Sequence, residues 1–114
     1  MAAKIVEQWY RLMLWVTPKL GKYPRDQRFL LADRIQKTLM DTLENLIDAS
    51  YSKKERAVPI LIETNRQLEK LRYYSRLSKD LKYINVKGYH YFANEINRIG
   101  KMVGGWIKHN TGGD

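Results

Sequence analysis

With 114 residues, 44% of them hydrophobic and 29% charged, the chain is long enough for one packed core and too apolar to remain disordered. The absence of cysteine excludes a disulfide framework and a thiolate metal site and fits a reducing, cytoplasmic setting, while no apolar run reaches the roughly 18 to 20 residues of a membrane span. The net charge of +9, from 21 Lys and Arg against 12 Asp and Glu, makes a polyanion, nucleic acid first, the expected partner.

Ile5, Trp9, Leu12, Met13, Val16 and Leu20 recur three or four apart, the period of one helix face. Gly21, Lys22, Tyr23 and Pro24 break that helix, and so short a connection favours an antiparallel neighbour. A second helix is predicted from about 25 to 50, with Ala32, Ile35, Leu39, Leu43 and Leu46 inward and Arg34, Lys37, Asp41, Glu44 and Asp48 in solvent. Ser52 and Glu55 have the spacing of a capping box, but Pro59 suits a first helical turn, which favours a third helix starting near 58 to 60. Its inner face reads Leu61, Leu68, Leu71, Ser75, Ser78 and Leu81, and it should end near Tyr83. Asn85 is the expected N-cap of a fourth helix that turns Tyr89, Phe92, Ala93, Ile96, Ile99, Gly100, Val103, Trp106 and Ile107 inward. The fold class is therefore all-α, an antiparallel up-and-down four-helix bundle over residues 1–109 with a body on the order of 35 Å long, followed by a disordered tail over 110–114.

Chemistry-bearing residues are few. His90 and His109 are the only histidines, neither has an acidic or nucleophilic partner at helical spacing, and the inward Glu-x-x-His pairs of a bundle metal site are missing. No enzyme activity, metal or cofactor is expected. Cations are plentiful, and by segment the charge runs +3 over 1–24, −1 over 25–50, +5 over 51–84 and +2 over 85–114, so the second half should carry the basic surface. Arg72, Arg76 and Lys79 fall within an arc of about 60° on the third helix, with Lys82 beyond them. Lys87, His90, Asn94, Arg98, Lys101 and Lys108 share the outer face of the fourth. The plain alternative is an ordinary solvated face, with Glu69 and Asp80 pairing the cations of the third helix. Phosphate contacts from such a surface would give affinity with little sequence preference.

Tyr10, Leu14, Trp15, Ile62, Tyr73 and Leu77 fall off the inner stripes, and a monomer seldom exposes so much apolar surface. Leu14, Trp15, Tyr73 and Leu77 are the expected oligomer interface, unless they line an irregular core. Arg28 reads as a side chain on the apolar side of the second helix, either snorkelling or anchoring a carboxylate or phosphate.

Three stretches carry a family resemblance: Tyr23-Pro24-Arg25-Asp26-Gln27-Arg28-Phe29 with Ala32-Asp33-Arg34-Ile35; Asn65 and Leu68-Glu69-Lys70-Leu71-Arg72 through Arg76-Leu77-Ser78-Lys79-Asp80-Leu81-Lys82; and Ile99-Gly100-Lys101-Met102-Val103-Gly104-Gly105-Trp106. Together, over about residues 8 to 108, they resemble the Avd family, the accessory variability determinants of diversity-generating retroelements. The wider superfamily includes four-helix proteins encoded in intervening sequences of bacterial 23S ribosomal RNA. The resemblance implies a homopentameric barrel of bundles with a basic surface and no active site. It also implies association with the retroelement's reverse transcriptase and with template RNA or cDNA during mutagenic cDNA synthesis. Arg25, Arg28 and Arg34 match the arginines of the opening motif, and Arg72, Arg76 and Lys79 the basic residues of the third helix. With Lys82, Arg98 and Lys101 they form the expected nucleic-acid-binding set. Ser78 stands where the family commonly has alanine, and Gly104-Gly105-Trp106 is read as packing and chain termination. Two rivals remain: a scaffold of the intervening-sequence type with no retroelement role, and a small enzyme.

Overall fold

Apolar positions that alternate four and three residues apart account for all four helices. The computed structural model describes residues 2–112, which form α1 (Ala2–Leu20), a 3-10 turn (Arg25–Gln27), α2 (Leu31–Ser50), α3 (Lys54–Asp80) and α4 (Val86–Asn110), with no strand among the described residues. Ile35, Leu39, Thr42, Leu46 and Ala49 are buried on α2, and Ala57, Leu61, Thr64, Leu68, Leu71, Ser75 and Ser78 on α3. Phe92, Ile96, Ile99, Val103 and Trp106 repeat the pattern on α4. An average period of 3.5 is the spacing that lets neighbouring helices interdigitate along their whole length. Each helix packs on its neighbours in sequence, and α1 closes the ring against α4, leaving α1 diagonal to α3. The result is an up-and-down four-helix bundle.

Trp9 is fully buried, and its indole Nε1 donates to the Leu39 carbonyl oxygen at 3.0 Å, tying α1 to α2. Between α2 and α3 the core is partly polar. Gln67 Oε1 accepts from Thr42 Oγ1 and Asn45 Nδ2, both at 3.1 Å. Every buried side-chain nitrogen and oxygen among the described residues has a partner, so this polar layer fixes register without the penalty of an unpaired group.

Several sequence expectations need correction. The second helix begins at Leu31, because the chain over 25–30 turns through three-residue hydrogen bonds and Leu30 sits at φ −115°, ψ −96°. No residue of the turn Arg25–Gln27 is buried and Phe29 and Leu30 face solvent, so extending α2 backward would bury nothing. The third helix begins at Lys54, ahead of the expected 58 to 60, since Ala57 prolongs the inner stripe; Pro59 then falls in the second turn, where it forgoes one backbone hydrogen bond. No capping box forms: the N-cap is Lys53 without a side-chain bond, and Ser52 Oγ donates back to the Asp48 carbonyl. α3 stops at Asp80, which leaves Leu81 at the C-cap, about half exposed and not in the core. Its 27 residues still span roughly 40 Å at 1.5 Å per residue, and the bundle measures 46 × 23 × 20 Å. Gly104-Gly105-Trp106 does not end the fourth helix, which continues to Asn110, anchored by buried Trp106. Thr111 Oγ1 closes its last turn on the Ile107 carbonyl at 3.0 Å, and residues 113–114 of the expected tail lie outside the described residues.

Candidate nucleic-acid interface

Antiparallel topology brings the α1–α2 and α3–α4 connections to the same end of the bundle, and hydrogen bonding locks them together. Tyr23, in the first connection, is buried and donates its hydroxyl to Ser78 Oγ on α3 at 2.7 Å. Ser78 Oγ in turn donates to the Tyr74 carbonyl at 2.8 Å, and the Tyr23 and Tyr83 rings lie 5.4 Å apart. Burial raises the Tyr23 phenol above its ordinary pKa, and the Ser78 hydrogen bond opposes that shift in part. Arg28 belongs to this connection and not to α2. It is exposed, and its Nε donates to the Tyr23 carbonyl at 3.2 Å.

The second connection is a Schellman turn. Tyr83 N–H bonds the Ser78 carbonyl at 2.8 Å and Lys82 N–H the Lys79 carbonyl at 2.9 Å, which requires Lys82 to adopt φ +65°. Glycine is the usual residue there, because a Cβ in the left-handed region is disfavoured. Lys82 therefore places a long cationic side chain where the backbone favours glycine. α4 then starts on Asn85, whose side chain accepts from Gly88 N–H at 2.7 Å, as its sequence position indicated.

The positive charge gathers at this end. Dividing each helix at its middle, the half that holds both connections (residues 11–40 and 68–97) has 13 Lys and Arg against 5 Asp and Glu, a net +8 of the chain's +9. The other half is close to neutral. The charge therefore divides along the long axis of the bundle, in addition to the uneven distribution along the chain that the segment charges show.

Seven of the nine expected contact residues, Arg25, Arg28, Arg34, Arg72, Arg76, Lys79 and Lys82, fall in the basic half. Arg98 and Lys101 do not, and Arg98 is 3.8 Å from Glu95. The α3 cations are partly engaged. Arg72 reaches Glu69 at 2.7 Å and donates from Nε to Asn97 Oδ1 at 3.0 Å, bridging α3 to α4. The guanidinium also covers Gly100, where an added Cβ would meet it at 3.1 Å. Arg76 and Lys79 share Asp80, at 3.9 and 3.4 Å. Arg25, Arg28, Arg34 and Lys82 have no ion pair among the described residues.

Between α3 and α4 lies an open hollow of about 630 Å³ lined by Lys79, Lys82, Tyr83, Asn85, Tyr89 and His90 among others. A smaller one of about 190 Å³ adjoins it, formed by Glu69, Arg72, Tyr73, Arg76 and again Tyr89. Lys79 Nζ stands 4.7 Å from the Tyr89 ring centroid. On the α1–α4 side, Trp15 packs on Tyr91 at 4.6 Å and carries Lys19 over its ring at 4.2 Å, beside Lys87. Sequence periodicity placed Tyr89 in the core and assigned Lys19 no role. Their signal was the shortness of the connections, which sets the last turn of one helix beside the first turn of the next.

The four expected interface residues separate into two faces. Trp15 is half-buried under Lys19, whereas Leu14 on α1 is 59% exposed, and Tyr73 and Leu77 on α3 are 61% and 44% exposed. Tyr10 extends the α1 face and Ile62 the α3 face. Among the described residues, no group of three His, Asp or Glu is placed to hold a metal ion, and no helix is long and apolar enough to cross a membrane.

The family model described as bAvd-like matches residues 4–110. No curated protein and no solved structure gives a significant match to the chain.

Proposed function

Because the chain belongs to the bAvd-like family, we propose that it is a non-catalytic accessory protein of a diversity-generating retroelement, binding nucleic acid and the element's reverse transcriptase during mutagenic cDNA synthesis. The observation that carries this reading is the concentration of +8 at one end of a small bundle. A field so polarised orients an incoming polyanion toward the end where both connections lie. Arg25, Arg28, Arg34, Arg76 and Lys82 supply phosphate contacts, while Arg72 chiefly holds α4 against α3.

The assembly in this proposal is a ring of five. Leu14 and Tyr10 on α1 lie diagonally across the bundle from Tyr73 and Leu77 on α3, so the two apolar faces cannot cover each other within one chain or merge into one patch. Pairing the α1 face of one copy with the α3 face of the next is a head-to-tail contact, the class that forms a cycle when its rotation closes and a filament when it does not. A ring also repeats the basic end around one rim. Light scattering tests the assembly, and a monomer at micromolar concentration would remove it. Binding is tested by titrating template RNA and the purified reverse transcriptase against the protein at several salt concentrations. A binding constant that falls steeply with salt, together with a stable complex with the polymerase, is the expected result. Salt-independent binding or failure to bind either partner rejects the proposal.

A further inference from the structure

Tyr89 stands between the two hollows of the basic end and lines both. It is half-buried, so its ring is held in place by α4 while part of it still faces the recess. On one side are Lys79, Lys82 and His90, and on the other Arg72 and Arg76. The carboxylates in the same walls are already committed: Asp80 to Arg76 and Lys79, Glu69 to Arg72. A surface built only to hold phosphates needs exposed cations and no recessed ring. An aromatic partition flanked by cations is the arrangement that takes a base on its face and the adjoining phosphates at its edges.

We infer that the α3–α4 end binds unpaired nucleotides, RNA or DNA, with a base stacked on Tyr89 in the larger hollow and a neighbouring phosphate held by Arg76 and Lys82. This rests on the nucleic-acid reading above and narrows it to single strands. Hollow size assigns the roles, since about 630 Å³ lies within the range of roughly 300 to 1,000 Å³ that small organic groups occupy, whereas about 190 Å³ does not. The Lys79 ammonium now over the ring is the group a base displaces, and once displaced it is free to meet a phosphate. Duplexes are disfavoured at this position because pulling a paired base out of its stack costs at least as much as one aromatic contact returns. Lys82 fits the same assignment, since its φ of +65° holds a cation at the rim where glycine would relieve the backbone.

The test compares wild type, Tyr89→Leu and Tyr89→Phe by fluorescence anisotropy with a short unstructured RNA, the DNA strand of the same sequence, and the duplex, all at one salt concentration. Tyr89→Leu is expected to weaken both single strands by roughly 5- to 150-fold, the equivalent of one lost base stack, and to leave the duplex unchanged. Tyr89→Phe keeps the ring and should bind as wild type does. A strand carrying a fluorescent purine analogue gives a second readout that needs no substitution, because stacking on an aromatic ring quenches it in the wild-type complex. Equal losses for strand and duplex, an unaffected Tyr89→Leu, or an unquenched analogue each overturn the stacking assignment while the basic end stands as a phosphate surface. If wild type binds no oligonucleotide at all, the broader proposal falls with it.

Discussion

The two ends of this bundle share one core and differ in almost everything attached to it. At the basic end the connections carry a buried Tyr23–Ser78 hydrogen bond, a left-handed lysine, hollows lined with aromatic rings, and +8 of the net charge. At the other end α2 passes to α3 through an exposed turn at Tyr51, and α4 carries Gly104 and Gly105 with open space around both. Core packing is blind to this difference, because the four-and-three spacing runs through both halves. The shared core thus sets position, while the connections and the helix turns beside them set the charge and polar contacts that distinguish one end from the other.

The largest effect should come from breaking what the ends share. Ile96 is fully buried near the middle of α4, and Ile96→Asp strands a carboxylate there at a cost of several kcal/mol, comparable with a whole domain stability of about 5 to 15 kcal/mol. Circular dichroism should show loss of the folded bundle, and an unchanged melting curve would contradict the inner face. Next in size is a charge comparison. Changing Lys22, Lys82 and Lys87 together to Gln should flatten the slope of log K against log salt by about 2 to 3, whereas Lys53, Lys54 and Arg56 to Gln at the opposite end should leave it nearly as it was. Equal effects from the two triples would dissolve the distinction between the ends.

Ser78→Ala should then cost about 1 to 3 kcal/mol, because it leaves the buried Tyr23 hydroxyl without its partner. Tyr23→Phe removes donor and need together and should cost about 1 kcal/mol, so the ranking of these two in urea melts checks the hydrogen bond itself. Lys82→Gly relieves the left-handed backbone and should stabilise the fold by up to roughly 1 kcal/mol while weakening nucleic-acid binding. Stability and affinity moving in the same direction would mean that Lys82 is not held for its charge. The smallest effect concerns alkaline pH. Since the folded-state pKa of Tyr23 lies above its ordinary value of 10.0, its contribution is fully present below about pH 10 and is lost as pH rises through the folded-state value. Tyr23→Phe should therefore show a shallower alkaline decline than wild type in melts taken over that range.

What sequence by itself determined was the bundle: four amphipathic stripes, their order, short connections, the Asn85 cap, and most inward residues from Ile5 to Trp106. Helical period is a local property, and local properties are legible along a chain. The helix ends were less so. Leu31 and Lys54 were decided by which flanking residues had core to bury, a question that only neighbouring helices answer. Helical period placed Ser78 on the inner face of the third helix, but not its role as the acceptor for Tyr23, 55 positions away. Arg72 and Arg76 looked equivalent on one face, yet only Arg72 finds Asn97 across the α3–α4 seam. The gathering of charge at one end was decided by tertiary structure alone. Residues 11–40 and 68–97 are remote in the chain, and antiparallel folding superimposes their charges because the α1–α2 and α3–α4 connections must lie at the same end of an up-and-down bundle.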